Sequence, residues 1–155
     1  MKEEITFEIS IPSDNDGYIL LQCEHCGGYF KVTSGDINDE QLLNLYCPEC
    51  GLVSENYLTE EVIGVAQLLA HNYALDFVYS TLKNIESKTK NKGFQIKVGN
   101  KPKPENINTI RSGIDTLKIV KFECCQRSAK IKPLLIMTGC NCPFCGVKEY
   151  DIKSI

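Results

Sequence analysis

Seven residues near the amino terminus, Ile5-Thr6-Phe7-Glu8-Ile9-Ser10-Ile11, alternate apolar and polar side chains, the period of a half-buried strand. A turn cluster follows in Pro12-Ser13-Asp14-Asn15-Asp16-Gly17, and beyond it Tyr18-Ile19-Leu20-Leu21-Gln22 and Tyr29-Phe30-Lys31-Val32 read as short strands. Residues 36–44 are polar and predict a loop or short helix. The period then changes. Val62, Ala66, Leu69, Tyr73 and Phe77 recur every three or four residues, flanked by Ile63, Ala70, Ala74, Val78, Leu82 and Ile85, which predicts one long helix. Thr59 suits its N-cap, and Glu60 and Glu61 suit the positive end of its dipole. From Glu60 to about Lys88 such a helix extends ~40 Å, more than one small module can cover. It is therefore expected to pack on the second half of the chain or on another subunit. Asn91-Lys92-Gly93 ends it, Phe94-Gln95-Ile96-Lys97-Val98 suggests a short strand, and 99–104 reads as a basic linker. A last strand over 117–123 runs into Cys124-Cys125.

The nine cysteines change this picture, because most of them stand in pairs. Cys23-Glu-His-Cys26 and Cys47-Pro-Glu-Cys50-Gly51 lie about twenty residues apart, and Cys142-Pro-Phe-Cys145-Gly146 comes near the end. A C-x-x-C pair presents two thiolates to one edge of a tetrahedron, and a second pair opposite completes a structural zinc site. A redox pair of the thioredoxin kind would open a helix inside a βαβ unit. Here each pair is followed by glycine or by strand-like sequence, which favours metal. The glycines after the pairs (Gly27, Gly51, Gly146) let the backbone turn its amides toward sulfur, and Pro48 and Pro143 preset the turn.

The second half repeats the first. Cys26-Gly-Gly-Tyr-Phe-Lys31-Val32 aligns without gaps on Cys125-Gln-Arg-Ser-Ala-Lys130-Ile131, and 46–53 aligns on 141–148. Internal duplication is the simplest account. Cys23 corresponds to Phe122, so the second module lacks its first C-x-x-C and offers adjacent Cys124 and Cys125 instead. Neighbours on a strand point to opposite faces, so Cys124 can serve only if the strand has ended. The second site is read as Cys124, Cys125, Cys142 and Cys145, with Cys140 as a possible substitute for Cys124.

These motifs resemble the zinc-ribbon family, particularly the ribbons of general transcription factors and RNA polymerase subunits, over residues 20–53 and less completely 120–148. The resemblance implies zinc bound by Cys23, Cys26, Cys47 and Cys50, and contacts with nucleic acid or a protein partner. A weaker similarity to rubredoxin, in Cys23-x-x-Cys26-Gly27 and Cys47-Pro-x-Cys50-Gly51, would imply iron and electron transfer. The shorter spacer and the long helix depart from rubredoxin. The expected architecture is α+β, two small zinc-ribbon β modules joined by a long helix and a basic linker. Its boundaries are 1–58, 59–90, 91–116 and 117–155, and it holds two Zn2+.

Composition is that of an ordinary soluble chain of 155 residues, 43% hydrophobic and 24% charged. No apolar run approaches bilayer length, and Met1-Lys2-Glu3-Glu4-Ile5-Thr6 lacks the pattern of a secretory signal, so a cytoplasmic location is expected. The net charge of −3 hides a strong asymmetry: residues 1–60 carry two basic side chains against twelve acidic ones, whereas 83–132 carry thirteen against four. Such polarity fits an anionic partner at the basic end, or contacts between copies. Lys97, Lys101, Lys103, Arg111, Lys118, Arg127 and Lys130 are the candidate phosphate contacts, with Lys88, Lys90, Lys92, Lys121 and Lys132 nearby. Aromatic side chains to stack on bases are few in that half. His25 and His71 are the two histidines, and no nucleophile motif or phosphate loop accompanies them. Four thiolates on one ion also leave no open coordination position. An enzyme is therefore not expected, and neither is a small-molecule substrate or a membrane partner. The leading expectation is a zinc-binding adaptor that acts through protein contacts, with a protein partner or a second copy docking on the long helix. Nucleic-acid binding through 83–132 is the alternative.

Overall fold

The computed structural model describes residues 5–89 and 96–155. Its elements in chain order are β1 (Tyr18–Gln22), β2 (Tyr29–Thr33), α1 (Ser34–Ile37), α2 (Glu60–Thr89), β3 (Lys118–Lys121), β4 (Ser128–Ile131), α3 (Pro133–Thr138), β5 (Cys140–Asn141) and β6 (Lys148–Glu149). The architecture is α+β and falls into two compact units: Ser10–Glu60 with Ile110–Ile155, and Met1–Ile9 with Glu61–Thr109.

The first of these units holds all nine cysteines around a four-stranded antiparallel sheet of order β1-β2-β4-β3. Each outer strand forms a hairpin with an inner one, Leu20 opposite Lys31 and Ile119 opposite Lys130. The two hairpins meet where Lys31 pairs with Lys130. These are the aligned residues of the sequence repeat, so the halves pair about a local two-fold. The cysteine turns repeat the relation. Tyr46 N–H donates to Pro143 O (2.8 Å), and its counterpart Asn141 N–H donates to Pro48 O (3.0 Å). A Cβ on Gly51 would stand 3.0 Å from the Asn141 side chain, and one on Gly146 2.9 Å from the Tyr46 ring. Glycine is required at both by these mirrored approaches.

One core serves both halves. Leu21, Phe30 and Val32 pack with Val120, Phe122, Ala129, Ile131, Phe144 and Ile152, and Cys140 and Cys142 join them. Lys31 is also buried, 1% exposed, where a free ammonium would be costly. Asp14 answers it. Its Oδ2 accepts from Lys31 Nζ (2.9 Å) and Lys130 Nζ (2.8 Å), one lysine from each half. Its Oδ1 accepts from the backbone N–H of Asp16 and Tyr18, which fixes the turn into β1.

The second unit is built on α2, whose 30 residues span ~45 Å. The sequence reading of helix from Glu60 to about Lys88 matches α2, and Gln22 Oε1 accepts the Glu60 N–H at its start (3.2 Å). The expected turn at 91–93 and the first two residues of the expected strand at 94–98 lie outside the described residues, and no strand forms over 96–98. Residues 5–11 form no strand either. Alternation specifies a strand only where another strand offers hydrogen bonds. Here Phe7 instead sets its ring edge against Tyr73 of α2, centroids 5.9 Å apart. β3 is shorter than the expected 117–123, because Phe122 already belongs to a turn.

Candidate metal centres

Four tight turns carry the sulfur ligands, and their backbones are alike. In each, the first residue donates its N–H to the carbonyl five residues on and accepts from the N–H four residues on: Cys23 with Gly28 and Gly27, Cys47 with Leu52 and Gly51, Phe122 with Arg127 and Gln126, Cys142 with Val147 and Gly146. The fifth residue takes a left-handed conformation every time, φ 70° at Gly27, 75° at Gly51, 71° at Gly146 and 60° at Gln126. Gln126 is the one non-glycine residue among them, and a left-handed side chain costs about 1–2 kcal/mol. Its Nε2 donates to Glu123 O, which offsets part of that strain.

In the first centre the sulfur atoms of Cys23, Cys26, Cys47 and Cys50 lie within 4.8 Å of one another. Cys23 Sγ is 3.7 Å from Cys50 Sγ, and Cys26 Sγ is 3.6 Å from Cys47 Sγ. A regular tetrahedron of zinc–sulfur bonds has edges of about 3.8 Å, so the donors fit a single ion. Outer contacts complete the set. Gly28 N–H donates to Cys26 Sγ (3.4 Å), and Ser54 Oγ lies 3.7 Å from Cys23 Sγ. Burial alone would favour the Cys23 thiol. The amides of Cys26 and His25 and the Ser54 hydroxyl overcome it, holding Cys23 down to about 6. Burial dominates at Cys47 and pushes its thiol up. His25 is not one of this group, and its Nε2 lies 3.2 Å from Val53 O.

The second centre gathers Cys124, Cys125, Cys142 and Cys145, again within 4.8 Å. Phe122 occupies the place that Cys23 has in the first turn, and its ring is wholly buried against Phe144. The missing sulfur comes from Cys124, two residues later. β3 has ended by then, so Cys124 and Cys125 are not bound by the strand's alternation of faces. Cys140 lies outside this group. It is buried in β5, and burial lifts its thiol to about 12. Cys125 and Cys142 sulfurs stand 3.6 Å apart, but Cys124 and Cys145 only 2.9 Å. That edge must open by roughly 1 Å to reach tetrahedral spacing. Both of its sulfurs are exposed, whereas Cys23 and Cys47 of the first centre are buried.

Glu149 carries no sequence signal, yet it braces this turn. Its carboxylate accepts the backbone N–H of Cys124 (2.9 Å) and of Glu123 (3.2 Å). Burial works against its charge, but these bonds and the Cys124 thiol hold the carboxyl below its usual range. Only the pairing of β5 with β6, Cys140 opposite Glu149, brings it there.

The candidate phosphate contacts are dispersed. Lys130 is nearly buried between Asp14 and Asp16. Arg127 donates to Asp36 (3.2 Å) and Asp39 (2.5 Å) and lies over the Phe144 ring. Lys101 pairs with Asp76 (3.0 Å). Lys97 and Lys103 are exposed on the same segment, Arg111 and Lys118 lie in the cysteine-bearing unit, and Lys90 and Lys92 fall outside the described residues. His71 is exposed beside Glu105. No helix among the described residues is long and apolar enough to cross a membrane. No protein-family model, curated protein or solved structure matches this chain.

Proposed function

We propose that the chain is a non-catalytic adaptor in which two Zn2+ ions, each held by four thiolates in a ribbon-like module, fix one sheet for protein–protein contact. The observation that carries this reading is the joining of two complete four-sulfur sets to a single core through paired equivalent residues. Four thiolates satisfy tetrahedral zinc and leave no position for a substrate, so the ions act by folding the chain. Structural zinc of this kind contributes on the order of 10 kcal/mol of folding free energy. Internal carboxylates already neutralise Arg127, Lys130 and Lys101, which weakens a phosphate-binding surface. Exposed apolar side chains such as Leu43 and Met137 suit a protein partner better.

Metal analysis and nucleic-acid binding on the same preparation test the reading. The as-purified protein should be colourless with two zinc ions per chain, and filters should retain no DNA or RNA with it at low salt. A red, iron-containing protein would favour electron transfer. Salt-sensitive retention of nucleic acid would overturn the assignment to protein contacts.

A further inference from the structure

The two sulfur centres differ along one edge. Cys145 stands in its turn where Cys50 stands in the first centre, and Cys124 supplies the sulfur that Cys23 supplies there, so the edges Cys23–Cys50 and Cys124–Cys145 correspond. In the first centre Cys23 is buried, which shields that edge from solvent. In the second, Cys124 and Cys145 are both exposed and their sulfurs stand 2.9 Å apart. A disulfide needs about 2.05 Å and two sulfurs on one zinc about 3.8 Å, so the backbone holds this pair midway between the two. The surrounding charges differ as well. Cys26, an exposed sulfur of the first centre, receives the Gly28 N–H (3.4 Å), and the Ser54 hydroxyl lies 3.7 Å from Cys23 Sγ. Such donors draw charge off a thiolate and lower its nucleophilicity. Cys124 Sγ instead meets the Glu149 carboxylate, which repels a thiolate. Forming a disulfide there removes the repelled charge.

We propose that Cys124 and Cys145 are an oxidation site, a pair that peroxide converts to a disulfide, releasing the metal of the second centre while the first stays loaded. One thiolate of the pair attacks an oxygen of hydrogen peroxide. The O–O bond breaks, hydroxide leaves and a sulfenic acid forms. The other thiolate attacks that sulfur, the S–S bond forms and the S–O bond breaks, releasing a second hydroxide. Two sulfurs have then lost two electrons, and two protons from solvent turn both hydroxides to water. Cys125 and Cys142 remain as two ligands where a structural ion needs four. Cys140 takes no part, because it is buried and lies outside the sulfur group. A dithiol reductant with added zinc reverses the change.

This inference rests on the reading of both centres as zinc sites. Ions counted before oxidation test that reading, and the disulfide map tests the pair by itself. Hydrogen peroxide is added to the full zinc-loaded chain at about one equivalent, since each disulfide consumes one. Zinc release is followed with a chromogenic chelator, and free thiols are then alkylated and the cross-linked peptides fragmented in a mass spectrometer. The account predicts loss of one of the two ions, a single disulfide between Cys124 and Cys145, alkylated Cys23, Cys26, Cys47 and Cys50, and recovery of the second ion after reductant and zinc. Ions lost equally from both centres, or a first disulfide between Cys26 and Cys50, would overturn the assignment of the site. Retention of both ions with no disulfide under excess peroxide would overturn the oxidation itself.

Discussion

Replacing Asp14 with asparagine probes the joint between the two halves directly. The change keeps size and one acceptor oxygen, so the turn bonds to Asp16 and Tyr18 can persist. It removes the anion that faces two lysines. Lys130 retains Asp16, at 2.5 Å, but Lys31, with a side chain only 1% exposed, is ion-paired to Asp14. Breaking a buried pair by removing one partner costs about 3–5 kcal/mol, because the remaining charge stays out of water. With one of two lysines still answered, the lower end applies, about 3 kcal/mol. Small domains have only about 5–15 kcal/mol to lose, and in a unit of this size the expected fall in Tm is roughly 12 °C or more. Urea titrations of metal-loaded protein, followed by circular dichroism, measure the difference. Asp16→Asn is the control. That side chain is 56% exposed, and its loss should cost under about 1 kcal/mol. If Asp14→Asn costs no more than Asp16→Asn, the two lysines do not depend on this carboxylate and the account of the joint is wrong.

The same carboxylate sets a pH dependence. Burial opposes its charge, but Lys130 and Lys31 hold the Asp14 carboxyl far below its ordinary 3.8, so the folded chain resists its protonation more than the unfolded chain does. The stability advantage of wild type over Asp14→Asn should be constant above pH 3.8 and shrink as pH falls below it; an advantage that grows in acid contradicts the assignment. Cys124→Ser should lower bound metal from two ions to one in native mass spectra, whereas Cys140→Ser should leave both. Glu149→Ala should weaken metal at the second centre about 10–100-fold in a chelator competition, the usual cost of losing an outer partner, and leave the first centre unchanged. Gln126→Gly removes left-handed strain and should raise stability by about 0.5–1 kcal/mol in denaturant titrations; a loss of stability would contradict the strain assigned to this turn.

The long helix and the cysteine turns were readable because their signals are local. A 3.6-residue period needs no partner to be recognised, and C-x-x-C-G specifies both ligands and turn within five residues. The alignment of Lys31 with Lys130 was also visible, but not that these residues would pair with each other. That register depends on which edges of the two hairpins meet. The expected strand at 5–11 failed for the converse reason: Ile5, Phe7 and Ile9 have the right period and no neighbouring strand to pair with. At the second centre Phe122 took the buried place of a cysteine and displaced the ligand to Cys124. Glu149, twenty-five residues away, was invisible until β5 and β6 brought it to that turn.

Removing the metal tests the central claim most directly. A strong chelator added stepwise, with ions per chain counted by native mass spectrometry and the sheet followed by circular dichroism, should strip two ions and abolish the sheet. Because both centres share one core, the chain losing either ion should already be markedly destabilised. A metal-free chain that keeps its sheet and its Tm would contradict the account.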